Sequence, residues 1–281
     1  MRRTSFNIDK QCDGVDVKRY CRKYLGLSSR AFIKQKYALD GMMINGRRCR
    51  SVDILCEGDV FEINIPDDMA EYKAMEYPLD VIYEDEDILA VNKPPGMAVH
   101  PSGGYKSICL LNAVAYYREK RHENYSFRPV YRLDRDTSGI VMLAKSRISV
   151  SSSKLDKRYY AVCEGFMGES GEIDVPIGRD SQSGILREAG HGRHAVTRWK
   201  RLSYDGSHSL IEAELLTGRT HQIRVHMAHM GHPLAGDDLY GGNLDKIGRQ
   251  ALHCGKLYIE NRVLGKEISL VSGFPDDMKG V

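Results

Sequence analysis

In the stretch YRLDRDTSGIVMLAK, residues 131–145, Arg132, Asp134, Arg135 and Asp136 crowd around Leu133, and the chain then passes through Thr-Ser-Gly into an apolar segment. Side chains alternate along an extended backbone, which predicts Arg132, Asp134 and Asp136 on one face and Leu133 and Arg135 on the other. The run GIVMLAK reads as a buried strand, so the Asp134 carboxylate would stand at its edge beside low-dielectric core. An isolated carboxylate there is costly and requires a cationic partner. Held by a guanidinium, it has the makings of a nucleophile or general base. The plainer alternative is an ion pair that only orients a loop.

A second dense stretch, LLTGRTHQIRVHMAHMGHPLAGDDLYGG (215–242), supplies the partner. Its centre predicts a helix capped by Thr220, with Ile223, Met227 and Met230 at i, i+4 and i+7, ended by Gly231 and Pro233. Gln222 and Arg224 then lie beside the apolar stripe near the helix start. An aspartate on one loop and an arginine on this helix can hold each other in a cleft.

His221, His226, His229 and His232 suggest a metal-dependent hydrolase as a rival. On a helix His221 and His226 point about 140° apart, and no acid lies between Leu216 and Asp237 to complete a zinc-hydrolase pattern. No metal site is predicted, and His226 and His229 are expected to face solvent or a polyanion. Gly103-Gly104 and Gly241-Gly242 lack the surroundings of a nucleotide-binding loop.

These residues belong to a chain of 281 residues, long enough for one substantial core and a small satellite domain. No run is long and apolar enough for a membrane helix, and the beginning, MRRTSFNIDK, lacks a signal-peptide core, so a cytoplasmic protein is expected. Its 7 cysteines are scattered and never spaced C-x-x-C, which predicts reduced thiols.

The net charge of +3 is unevenly distributed: residues 1–66 carry 13 Lys/Arg against 8 Asp/Glu, whereas the remainder carries 28 against 30. Between Lys18 and Arg50, ten basic residues meet one acid, Asp40. Such a local positive field suits a polyphosphate backbone, although a merely solvated basic face is the alternative.

Within this basic region VKRYCRKYL reads as an amphipathic helix, ended by Gly26 and followed by SRAFIKQKYAL, a second helix capped by Ser28 or Ser29. Asn45-Gly46 suits the turn of a hairpin, and DVFEINI alternates as a strand. The order helix, helix, hairpin, with the words SSRAFIKQK, DGMMINGRR and EGDVFEI, resembles the small RNA-binding domain first recognised in a ribosomal small-subunit protein. That resemblance implies an RNA-facing surface at Ser29, Arg30, Lys34, Asn45 and Arg47.

Residues 67–79 are polar and proline-bounded and read as a linker between this ααβ domain (1–66) and a larger domain (80–281). In the larger domain LDVIYEDEDILAVNKP predicts two strands around an acidic turn and SICLLNAVAYYREKR a helix capped by Ser107. Strands and helices mix without regular βα alternation, which predicts an α+β fold built on a mixed, largely antiparallel sheet.

Taken in order, VNKPPGMAVHPSGG (91–104), YRLDRDTSGIVMLAK, KRYYAVCEG (157–165) and the 215–242 stretch resemble the RluA-type pseudouridine synthases. The resemblance spans nearly the whole chain, with Tyr131 standing where the family usually has histidine. It implies an enzyme that isomerises chosen uridines in ribosomal or transfer RNA to pseudouridine without cofactor or metal, and a monomer is expected. It places the catalytic aspartate at Asp134, the base-stacking tyrosine at Tyr159 and the aspartate's arginine at Arg224. Arg132 would help to extrude the nucleotide, with Arg219 and His221 contacting RNA. Uracil must be unstacked to react, its glycosidic bond broken and its C5 joined to ribose C1′. A hydrolase would want a second carboxylate to activate water. A non-catalytic RNA-binding or assembly factor on the same fold is the other alternative, which intact Asp134, Tyr159 and Arg224 disfavour. Arg135 has no role in this reading.

Overall fold

The basic stretch ahead of Gly26 turns helically, but only Val17–Arg19 (α1) make α-type bonds, and Tyr20–Tyr24 continue as a wider π turn. The computed structural model describes residues 2–65, 72–101, 108–145, 153–180, 183–184, 186–261 and 266–281. Val17, Tyr20, Cys21 and Leu25 are buried, while Lys18, Arg19, Arg22 and Lys23 are exposed, as the amphipathic spacing requires. Ser28 Oγ accepts the Ala31 amide at 3.2 Å and caps α2, Ser29–Tyr37.

Six strands complete this part: β1 (Arg2–Asn7), β2 (Val15–Asp16), β3 (Met42–Ile44), β4 (Arg47–Arg48), β5 (Ile54–Leu55) and β6 (Val60–Ile65). Four of them form a sheet in the order β1-β6-β3-β4, and β2 pairs with β5. Asn45 and Gly46, at φ of 50° and 76°, close the β3–β4 hairpin. Val17, Leu25, Phe32, Leu55, Phe61 and Ile63 build a core of their own.

The second core lies under a ten-stranded sheet. Its chain order is β7 (Val81–Glu84), β8 (Ile88–Lys93), α3 (Leu110–Lys120), β9 (Arg128–Pro129), β10 (Ser138–Ala144) and β11 (Ser153–Glu164). There follow β12 (Ser170–Asp174), β13 (Ile177–Arg179), β14 (Arg187–Ala189), β15 (Val196–Tyr204), β16 (His208–Leu215), α4 (Gln222–His229), β17 (Leu252–Asn261) and β18 (Lys266–Val271). The sheet runs β12-β15-β16-β11-β17-β10-β8-β7, with β18 beside β17 and β9 beside β10, while β13 and β14 pair separately. Only β10 and β17 are parallel among these described pairs. The architecture is α+β with a largely antiparallel sheet.

β10 is buried along its whole length, as an uninterrupted apolar run in a central strand should be. It meets β17 at Gly139, whose φ of 109° and lack of a side chain are both used: a Cβ there would lie 2.3 Å from the Cys254 carbonyl oxygen. α3 starts later than its sequence suggests, with Cys109 at the cap position; Ser107 lies outside the described residues. In the segment read as a linker, Asn112 Nδ2 donates to the Lys73 carbonyl at 2.8 Å and Tyr116 donates to Glu76 at 2.9 Å. Tyr72, Ala74 and Tyr77 pack against the larger core.

Candidate active site

Asp134 is presented by a turn rather than by an extended strand. Residues 132–134 are irregular, Arg135 and Asp136 turn, and the Thr137 amide donates to the Asp134 carbonyl at 3.2 Å before β10 begins at Ser138. The face expected to be shared by Arg132, Asp134 and Asp136 is therefore not formed. Asp136 bends back to the Arg135 guanidinium at 2.8 Å, which gives Arg135 a structural part in the turn. The Arg135 carbonyl also accepts from Lys93 Nζ at 2.9 Å, and the same ammonium donates to the carbonyls of Pro94 and Met97 at 2.7 and 2.8 Å. Lys93, fully buried at the end of β8, thus ties the 94–97 loop to the Asp134 turn. Its word NKPPG was visible in the sequence, but nothing there said what the ammonium would hold.

α4 brings Arg224 opposite this turn, with Nη1 3.7 Å from Asp134 Oδ2. The guanidinium's other two nitrogens are given to Asp237, Nε at 2.6 Å from Oδ2 and Nη2 at 2.7 Å from Oδ1. Burial would lower the Arg224 pKa, but hydrogen bonds and charge from Asp237, then Asp134, hold it above its usual value. Sequence reasoning missed Asp237. The available signal was electrostatic: a buried arginine shared with one loop carboxylate needs more compensation, and the acids of GDDLYGG are the next along the chain.

The start of α4 also departs from expectation. Thr220 is not its cap: His221 occupies that position in the left-handed region at φ 58°, with no side-chain capping bond. Gln222 locks the turn instead, accepting from the Arg219 amide and the Thr217 hydroxyl at 2.9 Å each and donating to the Val196 carbonyl and Thr197 Oγ1 at 2.9 and 3.0 Å. His221 Nδ1 lies 2.8 Å from the Tyr240 hydroxyl and Nε2 lies 4.0 Å from Asp134 Oδ1. Burial lowers its pKa, partly opposed by Asp134, so its contact with the carboxylate near neutral pH is that of a neutral imidazole.

His226, expected at the surface, is fully buried: Nδ1 sits 2.9 Å from Thr197 Oγ1 and Nε2 3.0 Å from the Val175 carbonyl. His229 is exposed, and His232 Nδ1 lies 2.9 Å from the Glu164 carbonyl. The helix shows different sides to β15 and to solvent, and this scatters the histidines. Among the described residues no three His, Cys, Asp or Glu side chains converge as metal ligands.

Tyr159 comes from β11. Beside it the β11–β17 register shifts, Arg158 pairing with Lys256 and Tyr159 with Cys254, so that Gly255 is the extra residue of a bulge. Bulges re-aim neighbouring side chains, and this one lies at the cavity wall. Tyr159 is buried, and its hydroxyl pKa is raised well above the usual value, first by burial and then by Cys254 and Asp134.

Arg132, Asp134, Tyr159, Arg219, His221 and Arg224 line a single cavity of about 270 Å³, with Leu133, Leu215, Ile223 and Leu252 as its apolar wall. Asp134 is the sole carboxylate among its lining residues. Arg219 donates through Nε to the His194 carbonyl at 2.9 Å. The five residues singled out in the basic region belong to the other core's unit. Arg30, Lys34 and Arg47 are exposed there, and Ser29 Oγ accepts from Arg22 Nη1. The Asn45 amide is engaged within the fold, donating to Asp59 at 2.7 Å and accepting from the Val60 amide at 2.8 Å.

Residues 87–229 match the family of RNA pseudouridylate synthases. The uncharacterized RNA pseudouridine synthase YhcT of Bacillus subtilis (strain 168) is 39% identical over 240 residues, 81% of this chain and 80% of that protein. Ribosomal large subunit pseudouridine synthase D of Escherichia coli (strain K12) is 34% identical over 275 residues, 89% of this chain and 84% of its own length. Among solved structures, human RNA pseudouridylate synthase domain containing 1 superposes with a TM-score of 0.60 at 25% identity, covering 73% of this chain and 89% of that one.

Proposed function

The chain belongs to the RNA pseudouridylate synthase family and is an isomerase that forms pseudouridine in RNA, and from that premise we propose that Asp134 is its one catalytic carboxylate, acting on a uridine flipped out of ribosomal RNA. The observation that carries this reading is the position of Asp134 as the sole carboxylate lining the cavity, 3.7 Å from a buried arginine and against apolar wall.

A base stacked in RNA is out of reach, so the target must swing into the cavity. Its volume of about 270 Å³ gives room for one extruded base. In this reading Tyr159 stacks on the uracil, Arg132 fills the place the base has left, and Arg219 and His221 contact the flanking nucleotides. Arg224, immobilised by Asp237, holds the Asp134 carboxylate in register. Two chemistries use that carboxylate: attack on ribose C1′, or removal of the C2′ proton. Either conserves every atom of the nucleotide and neither oxidises nor reduces it, so no redox cofactor is required. The apolar wall restricts the water that would otherwise intercept the cleaved sugar.

We assign residues 1–66 to an RNA-binding domain of the small ribosomal-protein type, joined through residues 67–79 to the catalytic domain at 80–281. It would deliver RNA through Arg30, Lys34 and Arg47, with Ser29 and Asn45 shaping the same surface. In this reading the protein works on RNA in the cytoplasm as a monomer. No described helix is long and apolar enough to cross a membrane. The test is pseudouridine mapping of ribosomal and transfer RNA from cells with and without the gene. Loss of discrete ribosomal sites is expected, and an unchanged ribosomal map would refute the ribosomal assignment.

A further inference from the structure

Lys157 is a cavity-lining cation that the chemistry above leaves unused. It stands two residues before Tyr159 on β11, hence on the same face of the strand, roughly 7 Å away along the backbone. Its neighbour Arg158 points the other way, to Asp156 at 2.8 Å and Glu214 at 2.7 Å. Arg224 is compensated by the Asp237 carboxylate and Arg219 by a backbone carbonyl. Lys157 forms no salt bridge with a described carboxylate; its ammonium rests on the Tyr131 ring, 4.5 Å from the centroid. That ring is fixed from its far end, where the Tyr131 hydroxyl donates to the Ile140 carbonyl at 2.8 Å.

Among the described residues this half-buried ammonium has a ring face as its partner and is under-compensated, since a cation–π contact offsets less than the cost of desolvating the charge. Burial accordingly lowers the Lys157 pKa, against weaker upward pulls from Cys254 and Asp156. Such a group is held ready for an anion that arrives later. The reaction produces one. When the N1–C1′ bond breaks, its electron pair leaves with the uracil and spreads over N1 and the O2 and O4 carbonyls. The sugar is relieved either by a bond from Asp134 to C1′ or by loss of its C2′ proton to Asp134. C5 then bonds to C1′ as the bond from Asp134 is released or the proton returns to C2′. The C5 proton is lost and N1 gains one, so the product is an isomer.

We propose that Lys157 is a further catalytic residue, whose ammonium donates to a carbonyl oxygen of the detached uracil and stabilises its negative charge while the ring turns over Tyr159. Lys157 keeps its proton throughout and supplies charge only. The inference rests on the assignment of Asp134 and Tyr159 above. The titratable and charged groups around Lys157 are Tyr131, Cys254 across the β11–β17 pair, Tyr159 and the adjacent Asp156 on its own strand, and Arg132, Asp134, Arg219, His221 and Arg224 lining the same cavity. Cys254 is pushed up to about 12, chiefly by burial, and both tyrosines are raised well above their usual values. Loss of the Lys157 proton therefore precedes theirs as pH rises.

The experiment measures tritium release from a large-subunit ribosomal RNA transcript carrying uridine tritiated at C5, for wild type, Lys157→Met and Lys157→Arg. Lys157→Met should lower kcat by roughly 10²-fold or more, with RNA affinity changed by less than about threefold. Wild-type kcat/KM should fall as pH rises through a pKa below the ordinary lysine range. Lys157→Arg, which stays protonated, should be more active than the Met variant and lose that alkaline limb. Because the Arg variant preserves the charge over Tyr131, it carries the test even if the Met variant folds poorly. Wild-type kcat in Lys157→Met, or an alkaline limb unmoved in Lys157→Arg, would overturn the proposal. A wild-type enzyme inert on this transcript would instead remove the ribosomal reading beneath it.

Discussion

Arg224 is shared unequally between two carboxylates: Asp237 takes two of its nitrogens at 2.6 and 2.7 Å, and Asp134 has the third at 3.7 Å. The short pair fixes the guanidinium, so the long one can position Asp134 without neutralising it through a full bidentate contact. A catalytic carboxylate gains orientation this way and keeps lone pairs for the substrate.

Asp237→Ala should therefore be costly twice over. Removing one partner of a buried pair leaves the other charge stranded, a loss of about 3–5 kcal/mol. The guanidinium, freed from Asp237, should then close on Asp134 and lower kcat by at least about tenfold. Chemical denaturation together with single-turnover kinetics on folded protein measures both. An unchanged kcat would mean that Asp237 serves stability alone.

Lys93→Met tests the support beneath the Asp134 turn. Three carbonyls, of Pro94, Met97 and Arg135, lose their shared donor and remain at least partly buried. Leaving these acceptors without their donor predicts destabilisation of about 3 kcal/mol and a loosened Asp134. Denaturant titration would show the first effect and a fall in kcat at unchanged RNA affinity the second. Full activity and stability would contradict this assignment.

Acid should weaken the fold through its buried histidines. His253, held between Ser138 Oγ at 2.9 Å and the Ser272 carbonyl, has its pKa lowered to about 4, mainly by burial. Below the unfolded-state value near 6.5 the unfolded chain binds the proton first. The stability that neutral His253 contributes is present above that pH and is lost as pH falls towards about 4, to a total of roughly 3 kcal/mol. His221 and His226 are shifted in the same direction by burial. Denaturation midpoints between pH 7.5 and 5 should fall steeply in wild type and less steeply in His253→Gln; parallel slopes would contradict the assignment.

The basic N-terminal unit is tested by charge reversal. Arg30→Glu with Lys34→Glu should weaken RNA binding and reduce the slope of log affinity against log salt, by roughly 0.7–0.9 for each phosphate that the protein no longer neutralises. Filter binding across a salt series measures it. An unchanged slope would return α2 to the status of a solvated basic face.

How far the sequence can be read differs from part to part. The buried β10 strand, the serine-capped α2 and the Asn45-Gly46 turn are legible because each depends on neighbours in the chain: apolar runs, a cap, a positive φ. So is the meeting of Asp134 and Arg224, ninety positions apart, through recognisable motifs. The extended face expected at Arg132–Asp136 does not form because Arg135 and Asp136 satisfy each other in a turn, which alternation alone does not reveal. Thr220 is not the cap because Gln222 does that work from inside the helix. His226 lies inside rather than outside because its polar partners, Thr197 and the Val175 carbonyl, come from distant strands. Asp237 and Lys93 share that obscurity: each is defined by a buried partner supplied by tertiary structure.

The central claim, that one carboxylate performs the chemistry, is tested most directly by Asp134→Asn. The substitution keeps the size and most contacts of the side chain and removes the charge that both candidate mechanisms need. Pseudouridine formed in a single turnover on ribosomal RNA, measured by tritium release from C5, should drop below detection. RNA affinity and melting temperature should stay near those of wild type. Pseudouridine formation at the wild-type rate in this variant would contradict the account.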